Sequence, residues 1–373
     1  MRGANGALLD QALLLWFPGP ASATGEDVAE LHVHGGRAVV SALLAALGSM
    51  ANLRLAEAGE FTRRAFANGR IDLAEAEGLA DLIAAETESQ RQSALALAEG
   101  GLGRQVRDWQ KRLLDLSAQI EADLDFSDEG DVGEGGAVTA KPVLDTLRTE
   151  IGVLLDAPGA ERLRDGVRVV LAGPPNSGKS SLFNYLCDRE AAIVSHVAGT
   201  TRDRIEAHVA LDGVPFVLID TAGLRDSDDL VEAEGIARAR AALADADLVL
   251  WLGTAQDLPE GAIPVAGKAD LVPPQSGWPA SAVTGEGIAA LKAEILRRAR
   301  ELLPRPGALA LNRRHKAILA EAMAELDAAC EADDPLIIAE HLRAVRGQFD
   351  RLTGRAGVED MLDALFGSLC IGK

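Results

Sequence analysis

One segment restricts the fold more than any other: Gly173-Pro-Pro-Asn-Ser-Gly178-Lys179-Ser180, preceded by the apolar run Val167–Ala172 and followed by a helical stretch starting at Lys179. A strand that passes through a glycine-rich turn into a helix lets backbone N–H groups close around phosphate oxygens, with the positive end of the helix dipole behind them. Such a turn belongs to a parallel sheet with crossover helices. Residues 166–300 supply that pattern, because short apolar runs at Val167–Ala172, Val214–Ile219 and Leu248–Leu252 alternate with helical stretches. Asn176, Ser177, Gly178, Lys179, Ser180 and Ser181 are the candidate nucleotide contacts of the turn. Lys179 is expected to reach the β- and γ-phosphates, and the Ser180 hydroxyl to ligate Mg2+.

Two further motifs follow at the order and spacing of a nucleotide switch: Gly199-Thr200-Thr201-Arg202-Asp203 and, after two strands, Asp220-Thr221-Ala222-Gly223. An Asp at the end of such a strand holds the magnesium shell, and Gly223 lets a backbone N–H meet the γ-phosphate. A switch threonine closes over the metal when the γ-phosphate is present, and Thr201 is the expected ligand. Gly267-Lys268-Ala269-Asp270, with Ser281-Ala282 beyond it, points to the base. The Asp270 carboxylate can accept from both guanine N1–H and the exocyclic amine, a donor pair that adenine does not present. Gly267 stands where this motif usually has Asn, which predicts weaker nucleotide affinity with GTP still preferred. Leu224 occupies the place of the Gln that orients water in Ras-like enzymes, and a leucine cannot do that. The acidic stretch Asp226–Glu232, or an arginine finger from Arg202 or Arg225, is the expected substitute.

At 373 residues the chain exceeds what one core usually serves, roughly 250 to 300 residues. Its 48% hydrophobic and 3% aromatic content favours Ala/Leu-rich helices on a modest sheet. Residues 1–70 mix a β-like stretch from Val28 to His34, a helix near Arg37–Leu47 and glycine-bearing turns. From Asp72 to about Asp125 the proline-free pattern predicts long amphipathic helices ending in the acidic loop 126–136, and a helix over Lys141–Leu155 follows. Helix is expected again after Pro306, up to the last few residues. The architecture expected is α/β plus all-α: a P-loop domain with a parallel-rich, doubly wound sheet at 166–300, inserted between helical pieces at 71–165 and 301–373, with a small N-terminal α/β domain at 1–70.

A formal net charge of −20 opposes generic coating of nucleic acid, so any RNA contact must be local. Cys187, Cys330 and Cys370 are too few and too scattered for a disulfide framework or a zinc site, which predicts a reducing compartment. No apolar run approaches the roughly 18 residues of a membrane span. A cytoplasmic protein is expected. His32 and His34 alternate along a strand without carboxylates at metal spacing, and are read as structural.

Across nearly its whole length the sequence resembles the tRNA-modification GTPase family called MnmE or TrmE. The likeness rests on Phe17-Pro-Gly-Pro, Thr24-Gly-Glu-Asp-Val, Glu57-Ala-Gly-Glu-Phe-Thr, Arg64-Ala-Phe-Ala-Asn-Gly, Asp72-Leu-Ala-Glu-Ala-Glu, the nucleotide motifs and the terminal Cys370-Ile-Gly-Lys373. The resemblance implies potassium-dependent hydrolysis with no arginine finger, pairing of two nucleotide domains, and Asn176, Thr200 and the carbonyls of Ser195 and Val197 as potassium ligands. It implies Glu232 as the residue that orients water. It further implies that a flavoprotein partner similar to MnmG, carrying FAD, works with the chain to install a carboxymethylaminomethyl group, or its glycine-free variant, at a tRNA wobble uridine. A homodimer and a heterotetramer with that partner are expected. A tetrahydrofolate derivative, 5,10-methylene- or 5-formyl-, would carry the one-carbon unit, with Glu30, Arg70 and Lys373 at its site and Cys370 as a possible thiol. Relatives start with a strand and a Gly-Arg-Gly-Gly segment that this sequence lacks, so an incomplete folate site is one expectation. The competing reading is a GTP-controlled binding module such as a ribosome-assembly GTPase; such proteins share the nucleotide motifs but are not expected to carry both terminal signatures.

Overall fold

The structure is a computed structural model that describes residues 1–3, 6–125, 135–189, 191–192, 206–221, 240–271, 276–355, 365–366 and 369. In chain order its elements are β1 (Leu13–Phe17), β2 (Val28–His32), α1 (Arg37–Gly48), α2 (Glu60–Ala67), α3 (Leu73–Ala84), α4 (Glu88–Ala98), α5 (Gly101–Asp125), α6 (Gly135–Asp156), α7 (Glu161–Asp165), β3 (Val167–Ala172), α8 (Lys179–Arg189), β4 (Ala191–Ala192), β5 (Glu206–Leu211), β6 (Val214–Asp220), β7 (Leu248–Trp251), β8 (Ile263–Gly267), β9 (Trp278–Ala280), α9 (Ile288–Leu302), α10 (Arg313–Glu331) and α11 (Pro335–Thr353). They form two compact units: Met1–Ala80 with Leu97–Gly136 and Asp333–Lys373, and Asp81–Ala96 with Ala137–Ala332.

The second unit is built on a seven-stranded sheet in the order β4-β5-β6-β3-β7-β8-β9. β3 lies between β6 and β7, parallel to both, and β8 and β9 continue the parallel run; β5 and β4 are antiparallel additions at the other edge. Every residue of β6 is buried, and so is β3 apart from a half-buried Arg168. Unbroken apolar runs of this kind are what a strand covered on both faces needs. Val169, Leu171, Phe216, Leu218, Leu250 and Ile263 pack in one core with Phe183 and Leu186 of α8 and with Leu291 and Ile295 of α9. In the helical part of the same unit, the Lys316 ammonium donates to the carbonyls of Leu155, at 3.0 Å, and Ala157, at 2.5 Å. A cation there satisfies acceptors left over at the end of α6.

The first unit owes its core to helix periodicity. Leu102, Val106, Trp109, Leu113, Leu116 and Ile120 recur three and four residues apart on α5 and are all buried. α11 faces them with Leu342, Val345, Phe349 and Leu352; the Trp109 and Phe349 rings lie 5.5 Å apart at 31°, and Gln110 donates to Asp350 at 2.9 Å. Asp72 and Glu75 form a reciprocal cap at the start of α3: the Asp72 N–H donates to the Glu75 carboxylate, and the Glu75 N–H to Asp72 Oδ1. β1 and β2 make an antiparallel pair in which Leu15 stands opposite Glu30.

Two expectations need correction. Helix α6 begins at Gly135 rather than near Lys141, so Pro142 sits inside it. The rest of the expected acidic loop, 126–134, lies outside the described residues. The helix expected after Pro306 is two helices broken at Ala332–Asp334, where the Asp334 side chain caps Leu336 N–H and Pro335 opens α11. Among the described residues no helix is long and apolar enough to cross a membrane.

Candidate nucleotide site

β3 and β6 run side by side and end together, Leu171 in register with Asp220. The turn after β3 therefore lies next to the carboxylate at the end of β6, where open parallel sheets bind ligands. Gly173, at φ +144°, approaches the next strand's end so closely that an added Cβ would lie 2.8 Å from the Leu252 carbonyl oxygen. Asn176 and Gly178 also have positive φ, 61° and 103°. Left-handed positions of this kind let a turn curl its backbone amides toward one side, an arrangement that suits an anion. α8 starts immediately afterwards.

Lys179 is buried, and its ammonium donates to the carbonyls of Gly173, at 3.1 Å, and Pro174, at 2.8 Å. The cation is stretched back across the mouth of the turn. The Ser177 hydroxyl is buried without a hydrogen-bond partner. Such an orphaned polar atom inside a glycine-rich turn beside a buried ammonium fits a polyanionic ligand. Ser180 and Ser181, one position further on, are exposed. Asp220 is buried at the end of β6. Its neighbour Thr221 acts as a clamp, because Oγ1 donates to the Leu171 carbonyl at 2.8 Å.

The other end of the candidate site forms at β8 and β9. Gly267, the last residue of β8, pairs with Ala280, and the Ala269 N–H reaches back to the Ala280 carbonyl at 3.3 Å. Lys268 has positive φ, 58°, and its side chain crosses the turn: a Cβ on Gly178 would meet Lys268 Cγ at 3.6 Å. Ser281 is fully buried, and its hydroxyl accepts the N–H groups of Val283 and Thr284, which curls the chain around Ala282. A recess of about 120 Å³ results, lined by Gly178, Ser181, Leu252, Gly267, Asp270 and Ala282 among others. Apolar walls with one carboxylate suit a flat heterocycle carrying N–H donors.

The structure thus brings Asn176, Ser177, Gly178, Lys179, Ser180, Ser181, Asp220, Thr221, Lys268, Asp270, Ser281 and Ala282 to the carboxyl ends of the parallel strands β3, β6, β8 and β9. Ser195, Val197, Thr200, Thr201, Ala222, Gly223 and Glu232 lie outside the described residues, as do Arg202, Leu224, Arg225, Cys370 and Lys373. Sequence reasoning missed Leu252, whose carbonyl abuts Gly173, and the approach of Ser177 to Gly267. The signal for the second was the glycine itself at a position that usually carries a side chain.

Comparison with known proteins places this geometry. A family model described as the MnmE helical domain matches residues 73–370, and one described as the GTP-binding protein TrmE N-terminus matches residues 1–70. The chain is 57% identical to the tRNA modification GTPase MnmE of Erythrobacter litoralis, an alignment covering 100% of this chain and 89% of the relative. With the protein of that name from Novosphingobium aromaticivorans it shares 54% identity, over 99% of this chain and 88% of the relative. The chain belongs to the tRNA modification GTPase MnmE family. It is a GTP hydrolase that serves tRNA modification, built as a P-loop domain with a mostly parallel sheet, a helical MnmE domain and an N-terminal TrmE domain.

The MnmE N-terminal region holds a second polar cluster. Glu30 sits on β2 with its carboxylate 3.0 Å from His32 Nε2, and His34 pairs with Asp10 at 2.8 Å. Arg70 packs beside the Thr24–Glu26 turn: a Cβ on Gly25 would lie 3.3 Å from Arg70 Cγ and 2.8 Å from Asn68 Cβ. The Arg64 guanidinium bridges Glu26 and Glu60, and Arg54 grips Glu60 through both nitrogens. Those hydrogen bonds, from Arg54 first and Arg64 second, hold the Glu60 carboxyl down at about 2. Glu26 is lowered as well, chiefly by Arg64 and then by Asn68. Glu30 lies on β2 and Arg70 beyond the end of α2, the first beside His32 and the second beside Gly25. Among the described residues no group of three His, Cys, Asp or Glu side chains could hold a metal ion.

Proposed function

We propose that the chain binds guanosine triphosphate with its phosphates in the 173–180 turn and its base in the recess beside Asp270. The observation that carries this reading is the Lys179 ammonium lying on the Gly173 and Pro174 carbonyls above an orphaned Ser177 hydroxyl. When phosphate enters, the ammonium exchanges those neutral acceptors for anionic oxygens, with which hydrogen bonds are about twice as strong. Asp270 accepts the paired N–H donors of guanine, and Ser281 keeps the loop around Ala282 closed against the base. Ser180 and Thr201 would hold Mg2+, with the Asp220 carboxylate as a further acceptor, and Gly223 would offer its N–H to the γ-phosphate. Asn176, Thr200, Ser195 and Val197 offer hard oxygen donors for K+, and a monovalent cation there supplies fixed positive charge where the transition state gains negative charge. Glu232 orients the attacking water.

The same reading gives the N-terminal region, with Glu30 and Arg70, to a tetrahydrofolate derivative, Lys373 approaching and Cys370 a possible thiol. Glu30 is an acceptor suited to the pterin's N–H groups, and the Arg70 guanidinium to a carboxylate. We assign it a cytoplasmic role with an FAD flavoprotein partner similar to MnmG, as a homodimer that joins the partner in a heterotetramer. The division at 1–70, 71–165, 166–300 and 301–373 is part of this proposal.

GTP turnover in matched KCl and NaCl, with Glu232→Ala beside the parent in single turnover, tests the hydrolytic half. Faster hydrolysis in KCl, abolished in the variant, is expected. Equal rates in the two salts would remove the potassium role, and a variant as fast as the parent would remove Glu232.

A further inference from the structure

The glycine at the end of β8 is tied to the turn that follows β3. A Cβ built on Gly267 would lie 2.6 Å from the Ser177 carbonyl oxygen and 3.2 Å from Leu252 Cδ2. The first distance is far inside van der Waals contact, and the atom approached is backbone, which cannot swing aside as a side-chain tip does. Ser177 is itself the residue whose buried hydroxyl lacks a partner. On the other side, a Cβ on Gly178 would meet the Lys268 stem at ordinary contact distance. The phosphate turn and the base strand therefore meet as main chain against main chain, and the space a side chain at 267 would fill is already taken.

This has a chemical consequence for the base. Guanine presents N7 and O6, both acceptors, on one edge and the N1–H and N2 donors on another. An asparagine at 267 could offer its amide as a donor to the first edge. Glycine offers none, while Asp270 remains for the donor edge. Resting on the reading of the site as a guanine-nucleotide site, we propose that Gly267 is a specificity-determining position: direct packing against Ser177 replaces a side-chain brace, and the protein reads guanine through Asp270 without a side-chain donor to N7. Restoring asparagine does not repair the site. One added hydrogen bond is a smaller effect than displacing a packed backbone segment, so the substitution weakens nucleotide binding rather than tightening it.

The test is calorimetric binding of GDP and 7-deaza-GDP to the full chain, with Gly267→Ala and Gly267→Asn beside the parent. We expect the two nucleotides to bind the parent within about threefold of each other, because removing N7 removes no contact. GDP should bind both variants at least about tenfold more weakly, a loss equivalent to about 1.4 kcal/mol. Alanine should suffice, since Cβ alone makes the clash. A parent that binds 7-deaza-GDP more than threefold more weakly than GDP overturns the proposal. So does a Gly267→Asn protein that binds GDP as tightly as the parent or more tightly. Should the variants fail to fold, the comparison of the two nucleotides on the parent still decides. Failure of the folded parent to bind GDP at all is a different result, and overturns the guanine-nucleotide reading itself.

Discussion

Replacing Thr221 by valine removes one oxygen and nearly preserves shape. The Thr221 hydroxyl donates to the Leu171 carbonyl at 2.8 Å, and the two residues are 5% and 0% exposed, so water cannot take over the bond. A neutral intramolecular hydrogen bond is worth about 1 kcal/mol net, and a buried acceptor left without its donor costs about 1 to 3 kcal/mol. The Thr221 N–H points at the same carbonyl at 3.4 Å and keeps part of the satisfaction. The expected loss is therefore about 1 to 2 kcal/mol. Because Leu171 is in register with Asp220, a loosened clamp should also reduce affinity for GDP with magnesium. Urea unfolding followed by circular dichroism reads the first effect, as a lower midpoint at unchanged slope. Calorimetry reads the second. Thr221→Ser, which keeps the donor, should bind GDP like the parent. If the valine variant unfolds at the parent's midpoint and binds GDP equally well, the clamp contributes nothing and the reasoning fails.

Exchanging Asp270 for Asn turns one acceptor oxygen into a donor, and should move preference from guanosine toward xanthosine nucleotides; competition binding in which GTP still wins would contradict the base assignment. The ion cluster around Glu60 gives a pH dependence. Its carboxyl is held at about 2 against an ordinary 4.5, so its stabilisation is present above about 4.5 and is lost as pH falls toward 2. Glu60→Gln should therefore flatten the acid limb of a stability profile, and a variant with the parent's acid sensitivity would exclude the cluster as its cause.

Much of the candidate site's local shape was legible because it is built from contiguous residues. A glycine turn between a strand and a helix is defined by contiguous residues, and the apolar runs of β3, β6 and β7 are nearly continuous, as strands covered on both faces must be. The helix faces of α5 could be read from the spacing of Val106, Trp109 and Leu113. The start of α6 was harder, because Gly135 and Gly136 have poor helix propensity and Pro142 usually opens a helix rather than sitting inside one. Asp334-Pro335 is a recognisable helix start that the overall helical composition hid. Meetings between distant segments left little local trace beyond the glycine at 267. Nothing near Ser177 in sequence announces Gly267, nor does the sequence around Gly25 announce Asn68 and Arg70; only the fold supplies those neighbours.

Trp109 waits a long time for its partner. Phe349, whose ring lies against it, and Asp350, which holds Gln110, are made about 240 residues later. In between, the chain must produce the entire seven-stranded sheet. The newborn first unit therefore carries an uncovered apolar helix face while the sheet-bearing unit is already able to collapse, and its completion depends on α11 arriving.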